Sequence, residues 1–311
     1  MTATAAGRQT GIRDWFVNPA EGRLRAGWRI TAFLLLFFLL AASGQVGLRA
    51  LLGSFPKGSP LVFPVLAVAA TLAVLFARRV LDRRSFASLG LTRPRRAVLD
   101  VGFGFLLSGV MALAMFGMLA ASGLLADVKF AFDAGALPGI VLYPLALTVL
   151  IGYWEELVFR GYLLQNMADG MGLRLAVIVS CLLYGLVHAG NPNATLVSTL
   201  VIVGFGWLRI YGYLATGLLW LSMGMHIGWN FFQHSVFGFA ASGHSMGSTL
   251  ISHRPTGPGW LTGGAFGPEG SVLMLPVLAV ALVAMRAWAQ RHGNPDSSRD
   301  GLPGRRPGPA A

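Results

Sequence analysis

The chain of 311 residues has a single cysteine, Cys181, so no internal disulfide can form and the redox compartment is not legible. Lysine is almost as scarce: Lys57 and Lys129 are the only two, and arginine makes up the rest of the basic set. Charged residues are 12% of the chain, about half the share of a soluble domain, which argues against water as the main solvent. Acidic side chains number 12 against 24 basic ones, a net charge of +12. Such an excess could serve nucleic acid, but the basic residues sit between apolar runs rather than in patches, and no nucleic-acid partner is expected. A Walker-type loop, a repeat of 20–50 residues, a glycine-rich motif after a strand and an HExxH pair are all missing.

Apolar sequence is what the chain has in quantity. Hydrophobic residues are 55% of it and mean hydropathy is +0.64. Crossing about 30 Å of hydrocarbon takes ~20 helical residues. On that measure the sequence predicts eight spans, at about 29–50, 60–80, 98–122, 138–160, 174–190, 194–210, 213–236 and 271–289. The runs are continuous rather than alternating, which excludes a barrel. The expected fold is an all-α polytopic membrane protein. Residues 1–27 read as a polar cytoplasmic lead, 28–290 as the eight-helix domain and 291–311 as a disordered cytoplasmic tail. The run Ile30 to Ala42 has the length of a signal-peptide core, yet the lead is long for one and further spans follow, so a retained first helix is expected. The 41 glycines fall mostly inside spans, and spacings such as Gly102 and Gly104 read as close helix packing.

Arginine placement sets the expected orientation. With both termini cytoplasmic, the inner side takes the arginines before the first span, the dense run from Arg78 to Arg96, Arg160, Arg174 and Arg209 on later loops, and those after the last span. Only Arg49, Lys57, Lys129 and Arg254 fall outside. Phe86, Leu89 and Leu91 in the arginine-rich loop could also dip into the headgroup layer, though a simple topology signal is the plainer reading.

Against this background three spans hold side chains that cost energy in hydrocarbon and usually face an interior cavity. The fourth ends in Glu155-Glu156 with Arg160, the fifth carries Tyr184 and His188, and the seventh carries His226, Asn230 and, one turn on, His234. Glu156 and Arg160 are i, i+4 and can pair. Glu155 lies about 100° around the helix and lacks that partner, which suits a general base. His226 and Asn230 repeat the i, i+4 spacing, so the amide could orient the imidazole or aid an oxyanion. Taken singly, each has an ordinary reading as an interfacial charge or interhelical glue. Their conjunction in three nearly uncharged spans does not.

These residues resemble the motifs of the CPBP group (CAAX protease and bacteriocin-processing enzymes, also called Abi), which includes the type II CAAX prenyl endopeptidases. Its pattern is EExxxR, FxxxH and HxxxN on separate helices of an eight-helix core. Glu155, Glu156 and Arg160 meet the first motif and His226 and Asn230 the third. His188 meets the second, with Tyr184 in place of phenylalanine, which keeps the ring and adds a hydroxyl. The resemblance covers about 137–236, with a weaker match at Ser85–Leu91. It implies an intramembrane endopeptidase cutting a membrane-associated peptide or protein in a cavity open toward the cytoplasm. By that resemblance Glu155 activates water, His188, His226 and Asn230 complete the site, and Glu156 and Arg160 support it. A divalent metal, zinc, held by His188, His226 and Glu155, is also implied, and a metal-free glutamate mechanism would use the same residues. The arginine-heavy basic set fits a bacterial plasma membrane. Rival readings are a catalytically silent scaffold or immunity-type partner, a proton- or ion-coupled transporter, and a thiol peptidase pairing Cys181 with His188. The predicted spans contain one conflict. They put Glu155 near the inner surface and His226 about 20 Å deep, so a shared site needs the fourth helix to run past Arg160 or the seventh to start later.

Overall fold

A computed structural model describes residues 11–53, 59–130, 134–245 and 247–293. Arg8, Lys57 and the expected tail beyond Gly293 lie outside the described residues. Among the described residues eight helices of 12 or more residues carry the fold, each overlapping a run that hydropathy marked as a span. They are α1 (Ala26–Leu52), α2 (Val62–Leu81), α3 (Pro94–Ala121), α4 (Pro138–Met171), α5 (Leu173–His188), α6 (Leu196–Thr216), α7 (Trp220–Phe231) and α8 (Met274–His292). Of these, α1 to α4, α6 and α8 are long and apolar enough to cross a membrane, and α5 is a shorter apolar helix. The chain is an all-α polytopic membrane protein. Helices are the form hydrocarbon demands, because each satisfies its own backbone. Their outer faces are apolar: Leu35, Phe38 and Leu39 of α1, Leu106 and Val110 of α3, and Val280 and Val283 of α8 are all exposed.

Two helix boundaries move relative to hydropathy, in the directions a shared site requires. Helix α4 continues past Arg160 to Met171, widening into a π-helical stretch at Leu157–Leu163 immediately after the two glutamates. Helix α7 begins at Trp220 and ends in a π-helical turn, Phe232–Val236. Glycine sets how closely α7 is held. A Cβ on Gly224 would lie 2.4 Å from the Val101 carbonyl oxygen, and one on Gly228 would lie 2.6 Å from that of Phe105, so α7 rests on the backbone of α3. Gly152 does the same for α4, where a Cβ would meet Ile227 Cγ1 at 2.7 Å. Gly104 also packs on α7, whereas nothing lies within 4 Å of Gly102, so only the first of that pair is a packing glycine.

A short ladder of β1 (Val17–Asn18) and β2 (Arg23–Leu24) precedes α1. Between α7 and α8 the described residues of 237–245 and 247–273 form a cap, anchored by β4 (Ile251–Pro255) pairing antiparallel with β3 (Leu125–Phe130).

Several arginines do not sit where the topology reading put them. Arg160 and Arg209 are not loop residues but lie inside α4 and α6, both buried. Arg29 and Arg78 are also buried, each paired with Asp82 at 2.9 and 2.8 Å. Burial of this kind needs paired partners, and none of the four is available to lipid headgroups. The interfacial reading of the 85–91 segment fails for the same reason. Leu89 is fully buried in the protein core, and Phe86 and Leu91 pack against that core.

Candidate active site

The helix twist separates Glu155 from Glu156, as adjacency on α4 requires. Glu156 is fully buried and saturated with partners. Its Oε2 accepts from Ser222 Oγ at 2.5 Å and its Oε1 from His226 Nδ1 at 2.9 Å. Arg160 stands 3.2 Å from Oε1, which is the expected i, i+4 pair, and Arg209 stands 3.7 Å from it. The Arg160 guanidinium lies over the Tyr184 ring, 4.0 Å from its centroid.

Glu155 is differently placed. Its Oε2 accepts from the Tyr184 hydroxyl at 2.9 Å and stands 3.8 Å from His226 Nε2. No partner among the described residues engages its Oε1. Tyr184 in turn accepts from Arg209 Nη1 at 2.6 Å, so the hydroxyl that replaces the pattern's bare ring links a guanidinium to the glutamate.

Both imidazoles have their tautomer set by an acceptor that can only accept. His188 Nδ1 is 2.8 Å from the Tyr184 carbonyl, and His226 Nδ1 faces the Glu156 carboxylate. Each Nδ1 therefore carries a proton, so the neutral form of each ring has its lone pair on Nε2. Asn230 does not orient His226. Its Oδ1 takes a long contact from Gln233 at 3.4 Å, and its amide nitrogen is left without a partner among the described residues.

All of these groups meet one cavity of about 420 Å³, lined by Glu155, Tyr184, His188, Arg209, His226 and Asn230 together with apolar Ile151, Trp154, Phe159 and Phe205. The structure thus brings together every expected site residue except Glu156 and Arg160, which support the floor from behind. Cys181 is buried and does not line the cavity, so a Cys181–His188 pair is not assembled. His234 is outside it too, bonded to the Phe239 carbonyl.

Sequence reasoning missed three groups. Ser222 carries no pattern of its own. Arg209 was hidden by a span cut at 210; extended to Thr216, the span would have marked it as a charge inside an apolar helix. Glu269, in the loop Pro268-Glu269-Gly270, lines the far wall, accepting from Trp229 Nε1 at 2.8 Å and Ser242 Oγ at 2.6 Å.

Residues 137–232 match the family model described as type II CAAX prenyl endopeptidase Rce1-like. The match spans all three motifs and ends before the cap. No curated protein and no solved structure matches the chain.

Whether the residues fit a metal is a matter of donors and spacing. The two Nε2 lone pairs and the Glu155 carboxylate are the right donor types, with second-sphere acceptors behind each imidazole. The spacing is not right: among the described residues no three His, Cys, Asp or Glu side chains are grouped closely enough to hold an ion.

Proposed function

We propose that the chain is an intramembrane endopeptidase that hydrolyses a peptide bond of a membrane-associated protein or peptide, with Glu155 as the general base. One observation carries this reading: a carboxylate with one unengaged oxygen, two imidazole lone pairs and an unengaged amide donor share one cavity.

A water at Glu155 Oε1 gives its proton to the carboxylate as its oxygen attacks the scissile carbonyl carbon. The Asn230 amide is the donor suited to the resulting oxyanion. The two Nε2 atoms are not, since each bears a lone pair rather than a proton. His226 has a different task. Its Nε2, 3.8 Å from Glu155 Oε2, takes the water's proton on from the glutamate, Glu156 at Nδ1 stabilises the imidazolium, and that proton passes to the leaving nitrogen as the carbon–nitrogen bond breaks, leaving both groups as they began. The products are a carboxylate and an amine. No step passes through a metal.

The test compares purified wild type with Glu155→Ala and Cys181→Ser on membrane-anchored peptides, with and without a prenylated cysteine. Cleavage lost with Glu155→Ala and kept with Cys181→Ser supports the proposal. Equal turnover by wild type and Glu155→Ala sinks it. Inactivation by a chelator, reversed by zinc, would replace the metal-free version with the metal one.

A further inference from the structure

The cavity occupies one half of the bundle, the half opposite most of the exposed arginines. Every helix that lines it does so toward the same end. The contributing residues begin at Ser59 and Val62 where α2 starts, and at Tyr184 and His188 where α5 finishes. None comes from α4 beyond Phe159, from α6 beyond Arg209, or from α7 before His226. The cap supplies the remaining wall through Ser242, His244 and Ser245.

Toward the opposite end the bundle is solid. Below the floor formed by Glu156, the side chains of Leu157, Tyr162, Leu164 and Leu219 are fully buried, and Gln165 bonds to Tyr213 at 2.7 Å. That end carries the charge. Arg13, Arg25, Arg79, Arg83, Arg93, Arg95, Arg174, Arg286 and Arg291 are exposed there, whereas the cavity end has Arg49, Lys129 and Arg254. The asymmetry therefore survives when the buried arginines are set aside.

Arginines retained on the cytoplasmic side and a cavity open toward the cytoplasm cannot both hold in this fold. Because the exposed charge is what the insertion machinery reads, we propose that the cavity is entered from the extracytoplasmic side. Its substrate is then a membrane-anchored or exported polypeptide whose scissile bond lies just outside the cytoplasmic leaflet's reach, on the arginine-poor face. This extends the hydrolytic reading above by naming the side and class of substrate, and its first test does not depend on activity.

Single cysteines are introduced into a Cys181→Ser background at Ser245, on the cavity rim, and at Arg95, on the charged face. Intact spheroplasts are treated with a membrane-impermeant maleimide. The expected result is labelling of Ser245→Cys without lysis and of Arg95→Cys only after lysis; the reverse pattern overturns the inference. If Ser245→Cys does not accumulate, Ser59→Cys on the opposite rim serves in its place. A second arm uses sealed right-side-out vesicles carrying anchored peptides with the cleavage sequence on one face or the other. Outer-face cleavage that Glu155→Gln abolishes supports both proposals, and inner-face cleavage overturns the sidedness alone. Cleavage unaffected by Glu155→Gln removes the catalytic reading while leaving the labelling result to decide access.

Discussion

Two clusters of buried charge, one at the arginine-rich end and one at the cavity, differ in what they leave unengaged. At the arginine-rich end Asp82 pairs with Arg29 and Arg78, and Asp169 lies within 3.0 to 3.3 Å of Arg84, Arg23 and Arg29. Each carboxylate there meets several cations, and neither lines the cavity. Around the cavity Glu156 is equally saturated, but Glu155 keeps an oxygen, two imidazoles keep Nε2 and Asn230 keeps its amide. A buried charge in a membrane helix is a fair default sign of function, yet the charges around Asp82 and Asp169 engage one another and line no part of the cavity. Hydrogen-bonding capacity left facing a space is the better discriminator.

That comparison can be broken most directly at the two kinds of carboxylate. Glu155→Gln should lower kcat by about 10²- to 10⁴-fold while leaving thermal stability in detergent unchanged. Asp82→Asn should do the opposite: it breaks a buried network at a cost of about 3–5 kcal/mol, seen as a lower unfolding midpoint, with turnover per folded molecule retained. If Asp82→Asn instead loses turnover at full stability, the distinction drawn here is wrong. Tyr184→Phe sharpens the contrast within the site. It keeps the ring under Arg160 and removes the hydroxyl between Arg209 and Glu155, so a fall in kcat of about 10- to 100-fold with little change in KM is expected. Unchanged kcat would make the hydroxyl a passive filler.

The smallest effect belongs to Glu21 near the start of the chain. A hydrogen bond from Arg23 holds its carboxyl below the usual range. A depressed carboxyl adds stability above its unfolded pKa, and that stability is lost as pH falls through the folded value. The pair is part-exposed, so Glu21→Gln should cost less than about 1 kcal/mol at neutral pH, and the difference should vanish in acid. A midpoint difference that grows on acidification would contradict the assignment.

Much of this was open to inspection in one dimension. Eight apolar runs, the order of the three polar motifs and the i, i+4 pairing of Glu156 with Arg160 all follow from hydrophobicity and helical period, which act locally and leave a local trace. The depths of the helices do not. Hydropathy ends a span where polarity rises, and it ended α4 at Arg160 because a paired, buried arginine is indistinguishable in sequence from one in water. The same blindness hid Arg209 and left Arg29 and Arg78 reading only as charges of the cytoplasmic side, when both are buried. Which nitrogen of each imidazole is free, which glutamate is saturated and which end of the bundle is hollow depend on contacts between residues as far apart as Glu156 and His226, or Trp229 and Glu269. Spacing along the chain carries no record of such contacts, because they are set by how backbones close on Gly224, Gly228 and Gly152.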